Sequence, residues 1–458
     1  MSTSRGPTTG EIIVDHEEDG FETLTPGKQA TVLTLIGDCY TKLRQPAQAE
    51  YYYVRAVAFK KRIPVDAPPK RKGKRTPKPT PPKTATTEHE VKYRLAKSQR
   101  AVRNITLALN TMDSIPIRNR AVKMSLFLGK LRQERGQDNG AINCFKAVLK
   151  IDPLCVDAVR GLFELGMKLD DLLAYLLMVF PSGPEIFLAD IQWYMTLLVA
   201  EGAINEGDYE RAIDSLNSLE YPWHRNPHVF RKSVFYSGTM GKALYLMGDR
   251  EAALSELEKA LRTNIMLAPH MEFLAIIYST ESCVKPVTAA KRVVPFELLL
   301  RRLERYKLNS LDRFLTRAYY ARMRKMNALA SGIVVKLDKM YRNNPEVTLL
   351  RGVLLMSDRE WREAVGVLKY AIELAPYRFE SYEMLVEAYL SITMIKEAIQ
   401  AAKDCIEKIG ETERSLTLCA GAMKRDTSIP IPKLRTMLER ANEMNPRYLP
   451  SVYSLVEL

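Results

Sequence analysis

The chain has 458 residues, 46% of them hydrophobic and 27% charged, with a formal net charge of +14. That apolar fraction is ample for a core and excludes a wholly disordered protein, and at roughly 100 to 200 residues per domain the length suits two to four domains or one long repeat array. The longest apolar run, Leu172 to Phe180, is nine residues, well short of the ~20 of a membrane span, so no membrane association is expected. Cys39, Cys144, Cys155, Cys283, Cys405 and Cys419 are scattered, and His224 and His228 are separated by the helix breaker Pro227. No metal or cofactor is expected, and the cysteines read as small buried hydrophobes.

Residues 1–27 hold one base, Arg5, against six acids and contain no apolar leader segment, so they read as a disordered acidic tail and not as a secretory signal. Helical periodicity follows at once. Counting from Ala30, Leu33 is position 4, Ile36 is 7, Gly37 is 8, Tyr40 is 11, Ala49 is 20, Tyr53 is 24 and Ala56 is 27. These are the positions of the tetratricopeptide pattern, a 34-residue helix pair. A small residue at 8 lets the second helix approach the first, small residues at 20 and 27 seat the next pair, and large side chains fill the remaining space. Residues 28–63 therefore predict a first repeat. Its Tyr51 and Tyr52 lie beside Tyr53 but off the packing position, which makes them candidates for a dimer interface or for a cap on the end of the stack.

Residues 64–88 interrupt the period. Seven prolines and seven bases against Asp66, with Val65 as the one large aliphatic, fall within residues 64–87, so this insertion reads as a flexible, solvated, basic loop. Its run Lys70, Arg71, Lys72, Lys74, Arg75 resembles a nuclear localisation signal, and the competing reading is a loop kept soluble by charge. Residence in nucleus and cytoplasm is the corresponding expectation.

From residue 89 to 458 the register resumes. A copy from Val122 supplies Leu128, Gly129, Ala141, Phe145 and Pro153; one from Pro345 supplies Gly352, Ala364, Ala371 and Pro376; one from Phe379 supplies Tyr382, Leu385, Tyr389, Ala398 and Ala402. Weaker copies rest on Leu95, Ala96, Ala108 and Met112, on Gly207, Asp208, Tyr209 and Ala212, on Gly241, Gly248 and Ala253, and on Leu438, Ala441 and Pro446. Residues 155–190 and 270–340 fit poorly and read as degenerate repeats. The prediction is an all-α solenoid, a right-handed superhelix of about eleven or twelve antiparallel helix pairs.

No catalytic constellation survives its context. Gly238 to Ala243 mimics a phosphate loop but has two residues between its glycines and no Ser or Thr after the lysine, so no enzyme is expected. The five positions of a carboxylate clamp in the N-terminal groove hold Thr34, Asp38, Arg94, Lys123 and Phe127; one of the five agrees, and Asp38 is expected to repel a carboxylate. Glu380, Glu383 and Glu387 with Met384 fall on one inner helix face, a possible groove for a basic peptide, with solvated glutamates as the alternative. A basic island, residues 285–342, carries fifteen bases against four acids. With no stacking aromatics or recognised motif beside them, these bases read as exposed helix faces, and nucleic acid is not an expected partner.

Several segments in order, Glu90 to Ala96 after the basic insertion, Met112 to Pro116, Ala371 to Pro376, Ser381 to Leu390 and Leu416 to Leu418, resemble the subunit-seven family of the anaphase-promoting complex. The resemblance implies a non-catalytic scaffold subunit of a cell-cycle ubiquitin ligase that forms a homodimer through its first repeats and stacks on other tetratricopeptide subunits of that complex. The competing functions are a monomeric peptide-binding adaptor and an RNA-associated helical-repeat protein.

Deleting residues 64–87 is expected to leave helicity and the thermal midpoint nearly unchanged, since doubling a loop's length changes its closure entropy by only about 0.6 kcal/mol. Circular dichroism of the deletion variant checks this. A cooperative loss of helix would mean that the segment packs.

Overall fold

A computed structural model of the chain describes residues 21, 24–61, 87–180, 185–219, 233–282, 286–306, 310–341, 343–426, 428–446 and 448–458, excepting the side chains of 185–191 and 281–292. Among the described residues all regular structure is helical, without a strand. The chain divides into two compact units, Met1–Leu165 and Gly166–Leu458.

The first unit contains α1 (Pro26–Lys42), α2 (Pro46–Lys61), α3 (Glu88–Ala101), α4 (Ile105–Asp113), α5 (Val122–Glu134), α6 (Asp138–Ile151) and α7 (Val156–Glu164). They stack as three helix pairs and a further helix. Local chemistry marks the ends: Pro26 stands in the first turn of α1, where no amide hydrogen is needed, and the Thr87 hydroxyl accepts from the Glu90 amide at 3.3 Å to start α3. The cores alternate large and small, with Leu33, Ala49, Tyr53, Ala56, Val91 and Leu95 in one cluster, and Tyr93, Ala108, Met112, Phe127 and Leu128 in the next. Residues 64–86, including the run Lys70 to Arg75, lie outside the described residues, as does most of 1–27. Within the tail, however, Phe21 sets its ring edge-on to Phe59 at 6.0 Å, and its carbonyl accepts from the Gln29 side chain at 2.8 Å. Ordered packing therefore begins before residue 28, because one aromatic in an acidic segment suffices to cover the first pair's open end.

The second unit contains α8 (Leu169–Val179), α9 (Glu185–Glu206), α10 (Tyr209–Ser218), α11 (Val234–Met247), α12 (Arg250–Asn264), α13 (Met271–Ser282), α14 (Pro286–Tyr306), α15 (Leu311–Met323), α16 (Asn327–Met340), α17 (Pro345–Ser357), α18 (Trp361–Leu374), α19 (Phe379–Ser391), α20 (Ile395–Ile409), α21 (Glu413–Met423), α22 (Ile431–Met444) and α23 (Leu449–Val456). Successive helices from α9 pair in the same manner. The stretches whose sequence loses the period hold helices too. Two of these depart in length, with 22 residues in α9 and 21 in α14, which also carries Pro295 inside it, and that is enough to break a 34-residue register.

One contact recurs in four of the pairs. A methyl group added at Gly37 would lie 2.6 Å from the Tyr53 ring; the same distance separates Gly129 from Phe145, Gly241 from the Leu257 Cγ, and Gly352 from the Leu368 Cδ2. Each glycine is sixteen residues before its partner, so position 8 receives position 24. Ala49, Ala108, Ala141, Ala364, Ala371 and Ala398 are wholly buried, and Tyr389 is 5% exposed. Tyr40 is only half-buried, and Pro376 follows the end of α18, its carbonyl accepting from the Tyr382 hydroxyl at 3.1 Å.

The turns between paired helices are also alike. Position 15 is left-handed at Arg44, Gly136, Arg359 and Thr393, and so are Arg103, Gly207, Gly248 and Lys325 at the matching turns. Left-handed backbone strains any residue with a Cβ by about 1 to 2 kcal/mol, so the five turns at Arg44, Arg103, Lys325, Arg359 and Thr393 are built against their residues' own preference, Thr393 most of all.

Gly352→Leu is expected to lower the unfolding midpoint, at a cost of about 1 to 3 kcal/mol, because Leu368 already occupies the space. Gly332→Ala in α16, where nothing lies within 4 Å, is expected to be neutral or to stabilise by up to about 1 kcal/mol. Denaturant unfolding followed by circular dichroism compares the two.

Candidate interaction surfaces

Position 24 does more than fill space in the first pair. The Tyr53 hydroxyl, reaching past Gly37, donates to Asp38 at 2.6 Å; burial, and then this hydrogen bond, push it up to about 12. Asp38 also pairs with Arg94 of α3, Arg94 lies 3.7 Å from Glu90, and Glu90 accepts from Lys123 of α5 at 2.9 Å. Alternating charges thus tie the first helices of three successive pairs. All five clamp positions are held in contacts of their own: Thr34 bonds its own helix, Asp38, Arg94 and Lys123 belong to this ladder, and Phe127 is buried edge-on to Tyr93. Asp38, expected to repel a carboxylate, is instead neutralised by Arg94. Sequence spacing shows which face a residue shares but not its partner 56 residues on.

On the outside of the first pair, Tyr51 is 57% exposed, with Arg55 donating to its hydroxyl and lying over its ring. Tyr52 differs from expectation. It stacks on Tyr40 at 5.2 Å with the rings 7° from parallel and is half-buried, so its ring is largely spent within the pair. The exposed apolar side chains here are Leu35 on α1, Leu43 just after its end, and Tyr51 and Val54 on α2.

In the second unit the acidic strip is not open. Glu380 lies between two arginines: Arg414 donates to it at 3.2 Å and Arg378 stands 3.5 Å away while also pairing with Glu346. Arg378 and Arg414 are 4% and 7% exposed. Aromatic faces support both guanidinium groups, Phe273 of α13 under Arg378 and Phe379 under Arg414 at 4.1 Å. Burial pushes the Glu380 carboxyl up, but Arg414 and then Arg378 outweigh it and hold it below the ordinary 4.5; burial and the neighbouring Glu380 push Glu383 above that value. Met384 packs on the C-terminal core, and Glu387 alone of the strip is exposed. Of the three acids, Glu387 is the one left open to a basic peptide.

Earlier helices close the same region. The Tyr209 hydroxyl donates to the Tyr377 carbonyl at 3.0 Å across 168 residues; Gly207 lies against the Tyr377 ring, and a methyl at Gly248 would lie 3.2 Å from the Arg414 Cδ. Two of the left-handed turns are thus glycines where chain from much later in the unit crosses them. A Gly-Asp pair marks both in sequence, Asp208 and Asp249 capping α10 and α12, but nothing local announces Arg378, Arg414 or Glu346. In the phosphate-loop mimic, Gly241 meets Leu257 and Gly238 meets Pro269, both as packing positions. Among the described residues no cluster of His, Cys, Asp or Glu is arranged to hold a metal, and no helix is long and apolar enough to cross a membrane.

No protein-family model matches the chain. It is similar to curated proteins named Anaphase-promoting complex subunit 7. The Homo sapiens relative is 26% identical over 372 residues, which is 81% of this chain and 62% of that protein. The Arabidopsis thaliana relative is 23% identical over 446 residues, covering 95% of this chain and 75% of its own. The chain thus spans less than two thirds of the human protein's length. A solved structure, the crystal structure of the APC/C hetero-tetramer Cut9–Hcn1, aligns with 92% of this chain and 89% of its own at 12% identity and a TM-score of 0.35. The resemblance read from the residues is borne out by relatives of one name in animals and plants.

Glu383→Gln tests the buried charges. A carboxyl whose folded pKa is raised contributes stability fully present below its unfolded value, near 4.5, and lost as pH rises through the folded one. The glutamine variant is therefore expected to gain on the wild type at pH 7 and to lose that advantage below about pH 4.5. Arg414→Met leaves Glu380 with one partner and is expected to cost about 3 to 5 kcal/mol at pH 7. Unfolding midpoints across pH 4 to 8 check both.

Proposed function

We propose that the chain is a non-catalytic scaffold subunit of an anaphase-promoting complex, the cell-cycle ubiquitin ligase, that it self-associates through its first helix pair, and that it stacks on other tetratricopeptide subunits. The observation that carries this is the similarity to subunit 7 over 81% of the chain in the human relative and 95% in the plant relative. The exposed Leu35, Leu43, Tyr51 and Val54 support self-association, since tyrosine and aliphatic side chains are favoured at interface cores. A groove-binding adaptor is the weaker reading, because of the acids it needs Glu380 is paired with two buried arginines and burial pushes the Glu383 carboxyl up. Residence in both nucleus and cytoplasm belongs to the proposal, with Lys70, Arg71, Lys72, Lys74 and Arg75 as its support in sequence.

Mass spectrometry of what co-purifies with the tagged chain is expected to find the other tetratricopeptide subunits of the complex. Their absence would refute the scaffold reading. In light scattering at micromolar concentration the wild type is expected to be a dimer and Tyr51→Glu/Val54→Glu a monomer of unchanged helicity. A monomeric wild type would remove self-association, and a dimeric variant would move the interface elsewhere.

A further inference from the structure

The helices α14 and α16 are the second members of consecutive pairs, and each buries one side in the same core: Phe296, Leu299 and Leu303 from α14, Ala330, Val334 and Leu337 from α16. The opposite sides face water and share one pattern. On α14, Val294 and Leu298, 69% and 48% exposed, are followed at helical spacing by exposed Arg301 and Arg305. On α16, Leu329 and Val335, 44% and 51% exposed, precede exposed Lys336 and Lys339. Between them Gly332 leaves the backbone uncovered, with nothing within 4 Å of its missing side chain.

The acids of these helices do not cancel this charge. Glu297 is engaged by Arg324 at 2.9 Å and by the Tyr320 hydroxyl at 2.7 Å, and Asp338 by Arg351 at 3.3 Å, while Glu304 is the remaining one. The outer faces of later pairs are mixed in sign, with Arg362 and Lys369 beside Glu363 and Glu373 on α18, and Lys396 and Lys403 beside Glu397 and Glu407 on α20. Exposed aliphatic side chains bordered by an excess of bases, with Glu304 the one exposed acid on these two helices, therefore distinguish the outer faces of α14 and α16 from their neighbours.

We propose that this face docks an acidic amphipathic helix of a partner protein. Its apolar stripe covers Val294, Leu298, Leu329 and Val335, and its carboxylates meet Arg301, Arg305, Lys336 and Lys339. Charge complementarity selects an acidic partner, and the aliphatic patch selects a helix with an apolar side over a nucleic acid, whose phosphates offer such residues nothing. A single strand would need stacking rings, and the ring exposed on α14, Tyr306, lies beside the Arg305 guanidinium at 5.5 Å. This surface goes beyond the scaffold reading and stands independently of it.

Fluorescence anisotropy on the full chain tests it with three labelled probes. They are an amphipathic peptide of about 18 residues with leucines at helical spacing and glutamates beside them, a scrambled peptide of equal composition, and a single-stranded RNA of about 20 nucleotides. The amphipathic peptide is expected to bind at least about tenfold tighter than the scrambled one. Lys336→Glu/Lys339→Glu and Arg301→Glu/Arg305→Glu are each expected to weaken it about tenfold. These positions are exposed, and helicity verifies the fold of each variant; if one double variant does not fold, the other carries the test. Leu298→Ser is expected to weaken binding without changing its salt dependence. Equal binding of the scrambled peptide, no binding, or unchanged affinity in a folded double variant would overturn the proposal. RNA bound more tightly than the peptide, and lost in the same variants, would replace it with a nucleic-acid surface.

Discussion

Close approach of two helices at a residue with no side chain is the constraint on which everything else rests. At Gly37, Gly129, Gly241 and Gly352 the first helix of a pair presents bare backbone, and a ring or a leucine sixteen residues later fills the gap. Helix axes brought this near leave no room for water and set the angle at which the pair offers its alanines to the next. Gly161 shows the coupling: the Phe145 ring faces Gly129 on one edge and Gly161 on the other, and a methyl group added at either would lie 2.6 Å from it. One aromatic thereby joins a pair internally and to the helix that follows it.

Because that constraint is local, much of the architecture was legible in the sequence. A glycine, a large residue at a separation of sixteen and alanines at fixed offsets need no knowledge of distant chain. Where the helices lengthen, as in α9 and α14, the period fails although the pairing of helices persists, because an added turn shifts the register without changing which helices meet. The left-handed turns were legible only where glycine occupies them; at Arg44, Lys325 and Thr393 the backbone takes the shape that the stack imposes, against the residue's own preference.

The buried charges were not legible for the opposite reason. Glu380 sits in a helix of ordinary composition and looks like a surface residue until Arg378 and Arg414 are brought to it. Such a network adds little net stability over an apolar core of equal volume, since each ion must first lose its water. What it adds is selectivity of arrangement. A misregistered stack would strand at least one buried charge, so these residues penalise the wrong neighbours more than they reward the right ones. The first unit uses a milder version, the Asp38, Arg94, Glu90 and Lys123 ladder, at a partly wetted face.

The hydrogen bond from Tyr209 to Tyr377 bears on how the second unit comes into being. A linear array of repeats grows from any point, each pair settling on the last, and its contacts stay short in sequence. A link spanning 168 residues belongs to another kinetic class, because the intervening helices must form before its two ends meet. During synthesis, at about 5 to 20 residues per second, α10 waits for about 8 to 34 seconds before Tyr377 emerges, with the turn at Gly207 bare in the interval. The nascent chain at that stage lacks the ring that covers Gly207 and the carbonyl that engages Tyr209, and α10 stays open on that side until both arrive.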